Sequence, residues 1–362
     1  MATQVIPEKY MSLSDAQAME RIAAAKEKLG KRLLILGHHY QRDEVIRFAD
    51  LRGDSFGLAR KAAANRDAEY IVFCGVHFMA ESTNILSAPH QKVILPDLEA
   101  GCSLADMADI DQVEEAWEGI QGVLGDDRVV PITYINSTAA VKAFCADRGG
   151  IVCTSSNAKK VFAWGFRQRE KILFLPDEHL GRNIGFMEGI PLEKMILWDP
   201  HEEMGGSSGK EIGKAKIILW KGHCQVHQRF AVEQIEYFRK KFPDMKIIVH
   251  PECAFEVVQR SDHVGSTSYI IETIEKADPG TKWAIGTEIH LVNRLRNGHP
   301  DKLITSLVPG VCLCSTMNRI DPQHLCWVLD ELLNGHVVNQ IVVPAEIAQK
   351  ARLALDRMLS LA

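Results

Sequence analysis

No apolar run in this 362-residue chain approaches the roughly 18–20 residues that span a bilayer. Its first residues, MATQVIPEKYMS, lack the apolar core of a secretion signal. A soluble, cytoplasmic protein is expected. An excess of charge of one sign is missing too: 42 Lys+Arg stand against 47 Asp+Glu, interspersed, for a net charge of -5. That balance argues against a polyanion-binding surface, and with 46% hydrophobic residues it argues against disorder. Neither nucleic acid nor membrane is an expected partner. The third absence is a disulfide framework. Nine Cys is an odd count, and a reducing compartment keeps thiols unpaired, which divides them between buried hydrophobes and a metal site.

At roughly 100–200 residues per domain, this length implies two or three domains. The alanine-rich stretch from Ser14 to Leu29 has helical period, with Gly30 placed as its stop. Beyond it, short runs rich in Val, Ile and Leu alternate with amphipathic patterns: LLILG (33–37), YIVFCG (70–75), KVILP (92–96), VVPITYI (129–135), KILFLP (171–176), KIILW (216–220), KIIVH (246–250), KWAIG (282–286) and LITSLV (303–308). Continuous apolar strands separated by helices predict α/β structure, with parallel sheets covered on both faces.

The order of elements repeats. A strand ends at His38, Ser55 opens a helical pattern 17 residues on, and Cys102 follows a further 47 residues on. The intervals recur from His250 to Thr267 (17) and from Thr267 to Cys314 (47), and Cys312 breaks that register. The middle segment runs from Asn136 through Ser155 to Cys224. Its second interval is 69, so about 22 extra residues are assigned to a polar stretch of loop composition at 183–214. The pattern predicts three pseudo-threefold related, Rossmann-like αβα domains: 30–105, 128–228 with the insertion 183–214, and 245–318. Residues 1–29 and 319–362 are expected to be flanking helices. Ligands of open α/β sheets sit beyond the carboxyl ends of the strands, and three such ends around one axis would share a central active site.

Three cysteines in equivalent post-strand positions, Cys102, Cys224 and Cys314, suit a [4Fe-4S] cluster with one iron left open, with a three-ligand zinc site as the competing reading. Cys74, Cys145, Cys153 and Cys326 read as buried small hydrophobes, while Cys253 and Cys312 lie close enough to the motifs to compete as ligands. Ser55, Ser155 and Thr267 stand where a hydroxyl commonly caps a helix, and a helix N-terminus also attracts anions. His38, Tyr40, Tyr134, His227, His250 and Glu252 are the acid/base candidates, with HPE at 250–252 placing imidazole and carboxylate just past a strand.

Taken together, GHHYQRDEVIRFADLRGDSFGLAR, DLEAGCSLADM, YINSTAAVKA, CTSSNA, PDEHLGRN, WKGHCQVH, VHPE, GSTS and CSTMNRI resemble the quinolinate synthase family of de novo NAD biosynthesis over residues 33–333. The resemblance implies a [4Fe-4S] cluster on Cys102, Cys224 and Cys314. It implies condensation of iminoaspartate with dihydroxyacetone phosphate to quinolinate, releasing phosphate and two waters. His38, Ser55, Tyr134, Asn136, Ser155, His250, Glu252 and Thr267 would bind substrate, and Tyr40, Glu252 and His250 would serve catalysis. A transient contact with the upstream aspartate-oxidising enzyme is expected. The rival readings are another cluster-dependent hydro-lyase acting on a small hydroxy acid, and a cluster-based redox sensor.

Overall fold

A computed structural model describes residues 5–308, 310 and 312–361. Each apolar run becomes a strand, and the strands assemble into three sheets. The first contains β1 (Leu33–His38), β2 (Leu51–Gly53), β3 (Tyr70–Cys74) and β4 (Lys92–Ile94). The second contains β5 (Val129–Tyr134), β6 (Ile151–Cys153), β7 (Lys171–Leu175), β8 (Met195–Trp198) and β9 (Ile217–Trp220). The third contains β10 (Lys246–Val249), β11 (His263–Val264), β12 (Lys282–Gly286) and β13 (Leu303–Ser306). A last strand, β14 (Gln340–Ile341), pairs antiparallel with β4.

The three sheets share one topology. Their central orders are β2-β1-β3-β4, β6-β5-β7-β9 and β11-β10-β12-β13, so the second strand always flanks the first and the chain then moves to the other side. All of these pairings are parallel. Parallel neighbours need crossover connections, and helices covering the sheet bury it on both faces. Every residue of β1, β3, β5 and β7 is accordingly buried. The repetition expected from the spacing is therefore present as topology.

The chain forms two compact units. One comprises residues up to Cys102 with Ile289–Arg294 and Leu313–Pro344, and holds the first sheet with β14. The other comprises Ser103–Glu288, Leu295–Cys312 and the residues from Ala345 on, and holds the second and third sheets. In the first unit the helix Asp15–Leu29, opened by a capping box between Ser14 and Gln17, packs on the helix Pro322–Leu333. In the second, the helix Ala345–Ser360 packs on Ala139–Asp147. Among the described residues, no helix is long and apolar enough to cross a membrane.

Two expectations are corrected. The stretch 183–214 is not a loop: it finishes the helix Glu178–Met187, adds β8 beside β9, and ends in the helix Gly209–Lys214, capped by Ser208. The short apolar run MILW was hidden among polar neighbours, while the tight turn at Met204, Gly205 and Gly206, all at positive φ, accounts for the loop-like composition. Residues 319–362 are likewise not helical throughout, because Gln340–Ile341 extends the first sheet.

The helix Glu178–Met187 approaches its sheet unusually closely. A Cβ on Gly181 would stand 2.5 Å from Leu219 and Phe174 side-chain atoms, and one on Gly185 would stand 2.5 Å from Ile217. Gly181→Ala should therefore lower stability by about 1–3 kcal/mol through overpacking, read as a shift in the urea midpoint. Gly122→Ala, on an exposed helical site with open space around it, should leave stability unchanged or raise it.

Candidate active site

In the second unit, β10 ends at Val249 and the chain turns through His250, Pro251, Glu252 and Cys253. The His250 N–H donates to the Gly286 carbonyl at 3.1 Å, and the Cys253 N–H closes the turn on the His250 carbonyl at 3.0 Å. His250 and Glu252 are each only 3% exposed, so their polar atoms must find partners inside the protein. Glu252 Oε2 lies 2.5 Å from His227 Nδ1 and 3.3 Å from His250 Nδ1. The two imidazoles stack with centroids 4.6 Å apart. Their outer nitrogens reach Thr287 Oγ1 and Ser155 Oγ, each at 3.2 Å. The result is a chain from the half-buried Ser155 through the buried His250, Glu252 and His227 to Thr287. Cys224 stands at one side of it: ligand atoms of Cys224, His227 and Glu252 all lie within 4.8 Å of one another.

The charges in this cluster are unequal. Burial opposes ionisation of Glu252, but the adjacent His227 and His250 outweigh it and hold its carboxyl well below the usual range. Burial pushes the His227 imidazole down, and the charge of Glu252 opposes that shift. Asp177 behaves in the opposite way. It is fully buried, its Oδ1 accepts from the Leu180 N–H at 2.8 Å, and its Oδ2 has no hydrogen-bond partner among the described residues. Burial, together with the charge of Glu252, raises the Asp177 carboxyl far above its ordinary value. One acid is held ionised and its neighbour protonated, the separation that acid/base sites use.

The nine cysteines divide by exposure. Cys74, Cys145, Cys153, Cys253, Cys312 and Cys326 are buried, and only Cys102, Cys224 and Cys314 are partly exposed. Burial pushes the Cys74 thiol up to about 12 and that of Cys326 up to about 11, and raises Cys145, Cys153 and Cys253. Cys312 instead donates to the Val226 carbonyl at 3.3 Å. Cys102, Cys224 and Cys314 also share a local setting. A long helix starts eight residues after each, at Ile110, Val232 and Pro322. The carbonyls of Cys224 and Cys314 each accept from the N–H four residues on, at 3.0 Å.

His38 ends β1 buried in the first unit, its Nδ1 accepting from the Tyr40 N–H at 3.1 Å and its ring meeting the edge of Tyr40. Ser55 lies in the same unit. In the second unit Tyr134 is the buried last residue of β5, and Asn136 lies two residues past it. The Asn136 Oδ1 is buried without a hydrogen-bond partner among the described residues. The three hydroxyl residues do not cap their helices. Asp54 caps the helix at Ser55, and Ser266 caps the one at Thr267. Ser155 precedes a helix that begins only at Ala158 and is bound to His250 instead. The cap is the last non-helical residue, and in each case a neighbour occupies it. Asp177, Asn183 and Thr287 were not among the sequence candidates. The first two fall within PDEHLGRN, whose spacing alone does not show which residues face inward.

A group protonated in the fold and ionised when unfolded costs stability as pH rises from about 3.9 toward its folded pKa. Asp177→Asn keeps the cap through Oδ1 and removes that cost. Between pH 5 and 8 the melting temperature of the variant should gain about 2–4 °C on that of the unaltered protein. A gap independent of pH would mean that Asp177 is ionised in the fold.

Compared with known proteins, the chain matches the family described as NadA, quinolinate synthetase A protein, over residues 20–360. It is 59% identical over 357 residues to a protein named quinolinate synthase from Geobacillus sp. (strain WCH70), an alignment covering 99% of this chain and 97% of that one. Proteins of the same name are 58% identical in Anoxybacillus flavithermus (98% and 96% covered) and 57% identical in Herpetosiphon aurantiacus (98% and 95% covered). With nearly every residue aligned at more than half identity, the chain belongs to the quinolinate synthetase A protein family.

Proposed function

We propose that this protein is a quinolinate synthase of de novo NAD biosynthesis, acting in the cytoplasm. It condenses iminoaspartate with dihydroxyacetone phosphate and releases phosphate and two waters. Atoms balance across that reaction without an oxidant or reductant. The observation that carries the reading is the Ser155–His250–Glu252–His227 network beside the partly exposed Cys224, in a chain of this family.

Cys102, Cys224 and Cys314 would hold a [4Fe-4S] cluster. Their partial exposure and shared local setting support this choice over Cys312, which is buried and bonded to a backbone carbonyl. Bound there on three thiolates, the cluster supplies a Lewis-acidic iron for a substrate oxygen. In this proposal the three sheets belong to three domains, 30–105, 128–228 and 245–318.

The chain's own residues supply binding and proton transfer. Glu252, ionised yet buried, is the base that removes a proton from carbon during condensation and dehydration. His250, placed between Glu252 and Ser155 Oγ, moves protons along that line. His227, with Nδ1 2.5 Å from Glu252 Oε2, limits where that carboxylate stands. Tyr40, set against the His38 ring, is the second proton-transfer group. His38, Ser55, Tyr134, Asn136, Ser155 and Thr267 bind the substrates, with Asn136 Oδ1, which has no hydrogen-bond partner among the described residues, supplying a buried acceptor. Iminoaspartate is an unstable imine, which favours transient contact with the enzyme that oxidises aspartate.

Protein purified without oxygen should be brown, contain about four irons per chain, and form quinolinate from the two substrates. An iron-free but active protein would refute the cluster assignment. Cys102→Ser, Cys224→Ser and Cys314→Ser should each lose the colour, and Cys312→Ser should keep it. Retention of the cluster in Cys314→Ser would reverse the choice between these two. Glu252→Gln should reduce kcat by about 10²–10⁴ with iron content preserved, measured by quinolinate release.

A further inference from the structure

The buried Asn183 has no part in the chemistry above, yet its side chain reaches the segment that carries Glu252. Its Nδ2 donates to the carbonyls of Pro251 and Cys253, both at 2.9 Å. These two residues flank Glu252 in the chain, and Asn183 is 0% exposed. The orientation of the amide is determined by its surroundings. Turned over, Oδ1 would face two carbonyl oxygens, whereas as placed it has no hydrogen-bond partner among the described residues. The helix geometry explains the reach. Gly181 and Gly185, one turn apart, form the face pressed against the second sheet. Residue 183 lies about 200° around the helix from either glycine, which directs its side chain away from that sheet and toward the turn after β10.

We infer that Asn183 is a positioning residue for Glu252. It ties the peptide groups on both sides of Glu252 to the rigid helix Glu178–Met187 and so limits where the carboxylate stands relative to its two imidazoles. The function of the tie rests on the proposed role of Glu252 as base, while the tie itself does not. A displacement of about 1 Å at a reacting group can reduce rate a hundredfold, which sets the scale of the effect.

The test uses Asn183→Leu, branched like Asn but bulkier and without donors, and Asn183→Ala should the larger side chain prevent folding. Hydrogen exchange by mass spectrometry should show the amides of 252–254 exchanging at least about tenfold faster, with the strands of the second sheet unaffected. Iron content should be preserved and kcat should fall about ten- to a hundredfold. In the Glu252→Gln background the same substitution should cost no more than about twofold, because residues acting through one group are not additive. Unchanged exchange at 252–254 would overturn the inference, as would a loss that multiplies in full onto that of Glu252→Gln. If the unaltered protein forms no quinolinate, the proposed function fails, and the exchange result alone decides whether Asn183 holds the turn.

Discussion

A carboxylate that is 3% exposed must either take up a proton or be met by groups that favour its charge, and the centre of the second unit is built around that choice. Glu252 is met by two imidazoles, each held from behind by a hydroxyl. Those imidazoles come from different places: His250 from the end of β10, His227 from the turn after Cys224. The second and third sheets must therefore be correctly placed before the charge is accommodated. Asp177 is instead driven toward the neutral form by burial and by the charge of Glu252. Two acids of similar intrinsic strength thus acquire opposite protonation from their surroundings.

The scaffold beneath this site is economical in its topology. Three sheets repeat one strand order, and each brings the ends of several parallel strands to the same edge. The departures from the repeat are additions at sheet edges: β14 against β4 and β8 against β9. Edge additions leave the central strands, and the loops that follow them, undisturbed. This explains how the middle sheet accepts the longer 183–214 segment without losing its Ser155 and Cys224 positions.

Much of this architecture was legible in sequence because its signals are local. A run such as YIVFC, buried on both faces, can hardly be anything but an inner strand, and all nine such runs are strands. The intervals leading to Cys102 and Cys314 are equal in the sequence, and the helices after Cys102, Cys224 and Cys314 each start eight residues on. Short strands such as Leu51–Gly53 and His263–Val264 were missed because two or three residues at a sheet edge carry no periodicity. The caps were misplaced by one residue at Ser55 and Thr267, since Asp54 and Ser266 are equally good capping residues and composition cannot choose between them.

What the sequence determined by itself was the α/β class and the recurring order of strands, because apolar run length and intervals are properties of the chain. Only the tertiary structure decided which cysteines remain partly exposed, that Ser155 serves His250 rather than a helix end, and that Asn183 and Asp177 stand behind Glu252. These are matters of burial and of pairing between distant segments. A side chain's protonation and partners depend on what the fold places around it, and that is not written in its neighbours along the chain.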